Sequence, residues 1–235
     1  MGPTPPDPDL AVVLRRPFDP RVTHIAAWLA QRGGSLHPDR KQADRFLRAL
    51  DPDAGFFSFR TFSETPYTRL PGRDPLERAI HGSLASCWDE LVALNRAGAA
   101  ISVTVNATNG KGRAPGDIVR VRALFVDDDH PERRPDGLLP RAHISVQSSP
   151  GRFHHYWRVR DVSPQAFRRL QCRLAERFGT DHRVSAPNQS MALPGFWRRK
   201  SALAEDMTRL QAVAQLPALG VAEIGARLGV RDPGP

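Results

Sequence analysis

An α+β fold with a largely antiparallel sheet is predicted by three observations. Apolar residues before position 98 recur mostly every three or four residues; from position 100 the period changes to two; after Ser163 it returns to helical spacing. Helices and strands mixed in this order suggest such a domain.

Each element has a local reason. Asp39 and Gln42 make a capping pattern ahead of Ala43, Phe46, Leu47 and Leu50, which predicts a short amphipathic helix. FFSFRTF, residues 56–62, reads as a strand. Asp74, Pro75 and Glu77 suggest a second cap, with Leu76, Ile80, Leu84, Trp88 and Leu91 on one helical face and Gly98 as the stop. AISVTVNA, IVRVRALFV, HISVQS and FHHYWRV then alternate and are expected to form one central sheet. SPQAFRRLQCRLAERFG predicts a helix capped by Ser163, with Pro164 at its first position and Phe167, Leu170, Leu174 and Phe178 facing inward.

The flanks divide the chain into three. Residues 1–20, rich in Pro and without a period, read as an extended tail; 21–201 form the main domain; 202–235 read as a helical segment with Leu210, Val213, Leu216 and Leu219 on it.

Composition narrows the function. With 40% hydrophobic and 25% charged residues the chain can bury a core, and it has no apolar run of the roughly 18 residues that a membrane span needs. The N-terminus lacks a basic start and apolar middle, so a cytoplasmic location and no membrane partner are expected. Cys87 and Cys172 are too few and too far apart for a disulfide framework or a zinc module. A net charge of +9 favours an anionic partner, with nucleic acid foremost. Lysine occurs only at Lys41, Lys111 and Lys200 in this arginine-dominated chain.

The chemistry is concentrated at the end of IVRVRALFV, which runs into Asp127, Asp128, Asp129 and His130. In a strand Asp127 and Asp129 leave on one side, about 6.6 Å apart along the backbone, and Asp128 on the other. Two carboxylates so placed can bridge a pair of divalent cations roughly 3.5 to 4 Å apart. In SSPGRFHHYWRV, Pro150 and Gly151 turn the chain; Phe153, His155 and Trp157 are expected on a core face, and Arg152, His154, Tyr156 and Arg158 on a polar, cationic one. His154 and Arg152 would neutralise charge on a metal-bound triphosphate. Farther on, Asp181 offers another carboxylate, and LPGFWRRK turns at Pro194 and Gly195 into a basic cluster with Lys200 suited to a phosphate. The loop VNATNGKGR carries Asn106, Asn109, Lys111 and Arg113 but lacks the GK[ST] ending of a P-loop; it could hold template or nucleotide phosphates.

Taken in order, VRVRALFVDDD, SSPGRFHHYW and LPGFWRRK resemble the archaeo-eukaryotic primase superfamily, specifically the RepB-like primases of plasmids and prophages. FLRALDPDAGFFSFRTF and VNATNGKGR extend the likeness to roughly residues 40–201. The resemblance implies an RRM-like sheet beside an N-terminal α/β unit and template-directed nucleotidyl transfer with two Mg2+ or Mn2+ ions. It implies metal ligation by Asp127, Asp129 and Asp181, and nucleotide contacts from Ser149, Arg152, His154 and Lys200. The expected nucleic-acid contacts are Lys111, Arg113, Arg198 and Arg199, the partners a single-stranded DNA template and nucleoside triphosphates, with unwinding left to a replicative helicase. The sequence departs from the pattern in two places: Gln189 and Ala192 stand where arginines commonly precede LPG, and Arg152 stands where serine is frequent. A metal-dependent nuclease or relaxase, and a catalytically degenerate module that binds origin DNA, are the competing readings. Against the nuclease, His154 and His155 point to opposite faces of a strand and cannot share a metal.

Overall fold

The structure, a computed structural model, describes residues 36–64, 74–129, 139–201 and 204–232; the expected tail lies outside them. Helix α1 (Arg40–Leu50) begins where expected: the Asp39 carboxylate accepts from the backbone N–H groups of Lys41 and Gln42, and Ala43, Phe46, Leu47 and Leu50 are buried. Strand β1 (Phe57–Ser63) follows.

The second helix is shorter than its apolar spacing predicted. Residues Arg78–Gly82 form strand β2, antiparallel to β1, and helix α2 is confined to Leu84–Arg96 with Ser83 as its cap. A separation of four is also an even number, so Leu76, Ile80 and Leu84 suit one strand face as well as one helix face. Asp74 caps no helix; its carboxylate accepts from Ser63 N (2.7 Å) and Leu76 N (3.0 Å) and pins the end of β1.

The alternating region builds β3 (Ala99–Thr104), the short β4 (Ala107–Thr108) and β5 (Ile118–Arg120), then β6 (Ala123–Asp128), β7 (Ile144–Ser149) and β8 (Arg152–Arg158). Helix α3 (Pro164–Phe178) has the predicted cap at Ser163 and ends at Gly179 with φ +64. Beyond it come β9 (Ser190–Ala192), β10 (Trp197–Ser201), β11 (Ala204–Met207), β12 (Arg209–Val213) and α4 (Val221–Leu228). The stretch after 201, expected to be helical, is therefore half strand. A bulge between Leu210 and Ala212 accounts for the difference. One extra residue lets Leu210 and Val213, three apart, both pack on the core, mimicking helical spacing.

Two four-stranded antiparallel sheets replace the single one expected, in the orders β2-β1-β3-β9 and β12-β7-β8-β6. Helix α2 packs on the first. The second lies between two helices: Phe46 of α1 meets Tyr156 edge-on at 5.3 Å, while Phe178 of α3 stacks on Trp157 at 6.2 Å. Strand β6 is at the sheet's edge, yet its residues Ala123–Val126 are completely buried. Gln171 of α3 covers that edge, accepting from Phe125 N (3.2 Å) and donating to Phe125 O, as a neighbouring strand would.

Gly195 closes the far side of α1. Its carbonyl accepts from Asp39 N (2.7 Å), its N–H donates to Thr208 O (2.8 Å), and its φ is +89. A side chain here would collide with the Asp39 carbonyl, so glycine is required.

Candidate active site

Pairing between β6 and β8 sets Asp127 opposite His154 and Asp128 opposite Phe153. The Pro150–Gly151 turn, with Gly151 at φ +73, returns the chain for this register. His154 Nε2 stands 3.5 Å from Asp127 Oδ1, and Arg152 3.3 Å from Asp129 Oδ1. Asp181 arrives from elsewhere in the chain: Gly179 reverses α3, and Asp181 N donates to Asp127 O at 3.3 Å. The backbone of one acid remote in sequence is thereby brought to the end of the edge strand that carries Asp127. Asp181 also accepts from Arg183, by its backbone N–H at 2.9 Å and its guanidinium at 3.2 Å. Arginines lie within ion-pair distance of Asp129 and Asp181, and the His154 imidazole lies beside Asp127.

The face of β8 that carries His154 is not the polar surface its alternation suggested. His154 is 5% exposed and Tyr156 fully buried, because α1 lies across them. The opposite face, expected to be core, leaves Phe153 and His155 only half-buried. Alternation sorts residues into two faces, but helices cover both: α1 lies on Tyr156, and α3 lies on Trp157, which is buried as expected. Burial brings in Tyr156, which the sequence placed on the face of His154 but gave no role. Its hydroxyl lies 3.4 Å from His154 Nδ1, and burial, with the charge of Asp127, pushes its pKa well above the ordinary 10. The phenol stays protonated, and its bond to Nδ1 runs in the direction that the histidine tautomer sets. The signal that could have found it is its place two residues beyond His154 on the same strand face.

His155 occupies the reverse face. Its Nδ1 is 2.9 Å from the Ser145 hydroxyl, and its Nε2 is 3.8 Å from the buried Asp128. The two adjacent histidines therefore serve different surroundings, as expected.

The remaining predicted residues divide. Ser149 is buried at the β7–β8 hairpin as the register partner of Arg152. Lys111 is exposed, while Arg113 is half-buried across Thr104 (3.0 Å) and Ser190 (2.5 Å). Burial, then the charge of Arg60, lowers the Arg113 pKa. Asn106 is committed internally, accepting from Arg122 N and donating to Pro187 O. Arg198 pairs with Glu64 at 2.5 Å; Arg199, 2% exposed, donates to Arg96 O at 3.1 Å and lies 3.4 Å from Glu205. The structure joins these two arginines to α2 and β11 and does not bring them to the acids. Lys200 is on β10, with its side chain outside the described residues.

Among the described residues no three acid, histidine or cysteine side chains already converge as a complete metal-ligand set. The donor chemistry suits a hard divalent cation: Asp127 and Asp129 offer carboxylates at the end of β6, and Asp181, whose backbone is bonded to that of Asp127, offers a third oxygen donor in place of any thiolate. No helix of the described residues is long and apolar enough to cross a membrane.

Acids and a histidine on paired strands of an antiparallel sheet, beside a second sheet, place the fold among those of primase catalytic domains. The solved structures agree. The primase-polymerase (PrimPol) domain of cyanophage S-2L matches with a TM-score of 0.60 at 20% identity, covering 82% of this chain and 99% of that one. The catalytic domain of primase RepB', in complex with initiator DNA, matches with a TM-score of 0.56 at 18% identity over 81% and 92% of the two chains. A second crystal structure of primase RepB' gives 0.55 at 17% identity, covering 80% of this chain and 59% of that one. No curated protein matches the chain. Residues 95–215, just over half of the chain, match the RepB DNA-primase N-terminal domain, and the protein belongs to that family.

Proposed function

We propose that this chain is a template-directed nucleotidyltransferase of plasmid or prophage replication, which joins nucleoside triphosphates to a 3′-hydroxyl on single-stranded DNA. The observation that carries the reading is the Asp127–His154 register pair with Asp181 bonded to the Asp127 carbonyl. Asp127, Asp129 and Asp181 would hold two Mg2+ or Mn2+ ions, which when bound lower the pKa of the attacking hydroxyl and stabilise the departing pyrophosphate. The chain's own residues supply the rest. His154, with its Nδ1 held by Tyr156, directs an N–H toward the phosphates beside Asp127. Arg152 is exposed enough to exchange Asp129 for a phosphate oxygen, adding a bidentate cation where negative charge accumulates. The family match and the DNA bound to RepB' support this assignment.

Template-dependent extension of a labelled primer, with ribo- or deoxynucleotides and Mg2+ or Mn2+, is the test. Loss of a metal-directed carboxylate removes several kcal/mol of transition-state stabilisation, so Asp127→Ala and Asp129→Ala should each slow extension by about a thousandfold or more. Wild-type rates in either variant reject the assignment. A second reading, a module that binds DNA without catalysis, is favoured by the arginines already paired with Asp129 and Asp181. It predicts strand binding in chelator and no product under any nucleotide.

A further inference from the structure

Sheet β2-β1-β3-β9 carries, away from the acids, an aromatic pair that the proposed chemistry leaves unused. Phe56 is 37% exposed, one of only three large hydrophobics so exposed among the described residues. Its ring lies parallel to that of His81, centroids 6.2 Å apart and planes 6° from coplanar. Both rings are fixed from below. The buried Ser58 hydroxyl holds His81 Nδ1 at 2.8 Å and meets the Thr108 hydroxyl at 2.5 Å; Thr108 in turn accepts from Gly110 N at 3.2 Å. Gly110, at φ +76, passes so close under the Phe56 ring that a side chain's first carbon would come within 2.8 Å of it. Arg122 donates to Phe56 O at 3.2 Å and ties the pair to the root of β6. Arg122 is five residues from Asp127, at most about 18 Å of extended chain.

The surroundings are cationic. Lys111 follows Gly110 directly and is exposed, Arg113 crosses the adjoining strands, and Arg120 is more than half exposed. Asp117 is occupied inside the loop by Asn109 and Ala114 N, and Asp51 by Arg120 and Arg122. A rigid, solvent-facing aromatic surface with cations around it has the chemistry of a single-strand site: bases stack on the rings and phosphates meet the cations.

We propose that Phe56 and His81 form a stacking platform for a base of single-stranded nucleic acid, with Lys111 and Arg120 meeting the adjoining phosphates. The site is separate from the acids and rests on the polymerase reading only in naming that strand the template.

The experiment is fluorescence anisotropy of a labelled oligothymidylate of about 16 nucleotides, the upper end of a single-strand site, in chelator and without nucleotides. Stacking contributes roughly 1–3 kcal/mol per base, so Phe56→Leu, which keeps an apolar side chain over Gly110 but no π-face, should bind about 5- to 150-fold more weakly. His81→Gln, which can keep the bond to Ser58, should weaken binding in the same direction. Lys111→Ala should leave stacking intact and reduce the slope of log affinity against log salt by about 0.7. An oligouridylate arm shows which sugar is taken, and loss of either strand's binding in Phe56→Leu supports the platform. Wild-type affinity in Phe56→Leu with an unchanged melting temperature overturns it, as does a wild-type preference for duplex. The two readings fail separately: absence of synthesis with the Phe56→Leu defect intact removes only the polymerase, and normal synthesis with normal strand binding in Phe56→Leu removes only the platform.

Discussion

The two four-stranded sheets have the same antiparallel pairing and dispose of charge in opposite ways. In β12-β7-β8-β6 charge is gathered at one strand end into close pairs, Asp127 with His154, Asp129 with Arg152 and Asp181 with Arg183, beside an aromatic interior in which Gln171 and Asp128 are also buried. In β2-β1-β3-β9 the inner face is apolar, while the outer face is spread with hydroxyls, an aromatic pair and cations at the surface. Concentrated charge commits a surface to chemistry at one point, because only there do fields add over a few ångströms. Dispersed cations with flat rings commit a surface to holding a long anion without regard to position along it.

The strongest way to break the contrast is to cut the link between the sheets. Asp51, just beyond α1, is 2.6 Å from the buried Arg122 and 2.5 Å from Arg120. Burial lowers the Arg122 pKa, and the Asp51 carboxylate opposes that shift. Asp51→Ala strands a desolvated guanidinium and should lower unfolding free energy by about 3–5 kcal/mol in a urea titration. A loss under about 1 kcal/mol, the usual worth of an exposed pair, would show that Arg122 finds water instead.

A smaller change should separate the sheets by function. Gln171→Leu keeps the packing of α3 but leaves Phe125 N and O without their side-chain partner, a loss of about 1–3 kcal/mol for each buried group. Primer extension should fall as β6 loosens, with oligothymidylate affinity in chelator unchanged. Equal losses in both would mean that the sheets share one deformation. The smallest expected effect is that of Tyr156→Phe. Without the hydroxyl His154 is free to change tautomer, and extension should slow by roughly tenfold, about 1.4 kcal/mol, with strand binding untouched. Wild-type rates would assign Tyr156 to packing alone.

How much of this was legible in the sequence depends on how local each cause is. Helix α3 was readable end to end because Ser163, Pro164 and Gly179 act within a turn of where they stand. The gathering of Asp127 and His154 was readable because alternation and a short hairpin transmit register directly. Strand β2 was misread, since Leu76 and Ile80 fit two periods and only pairing with β1 decides between them. Strand β12 was misread because a bulge imitates helical spacing. Arg199 carries no local sign of the burial that joins it to Arg96 and Glu205. Tyr156 and Phe56 depend on which layer covers them, a property of the assembled fold.

The turn at Gly195 has a consequence for the order in which the molecule is made. It clasps Asp39, and close by Leu210 N donates to the Gln42 side chain across a separation of 168 residues. Contacts so distant along the chain form late, because the intervening loop must close before they repay its entropy. On the ribosome the bonds that fasten the start of α1, to Gly195 and to Leu210, can form only after β10, β11 and the beginning of β12 have emerged. The first described helix is thus fastened at its start by residues made more than 150 positions after it.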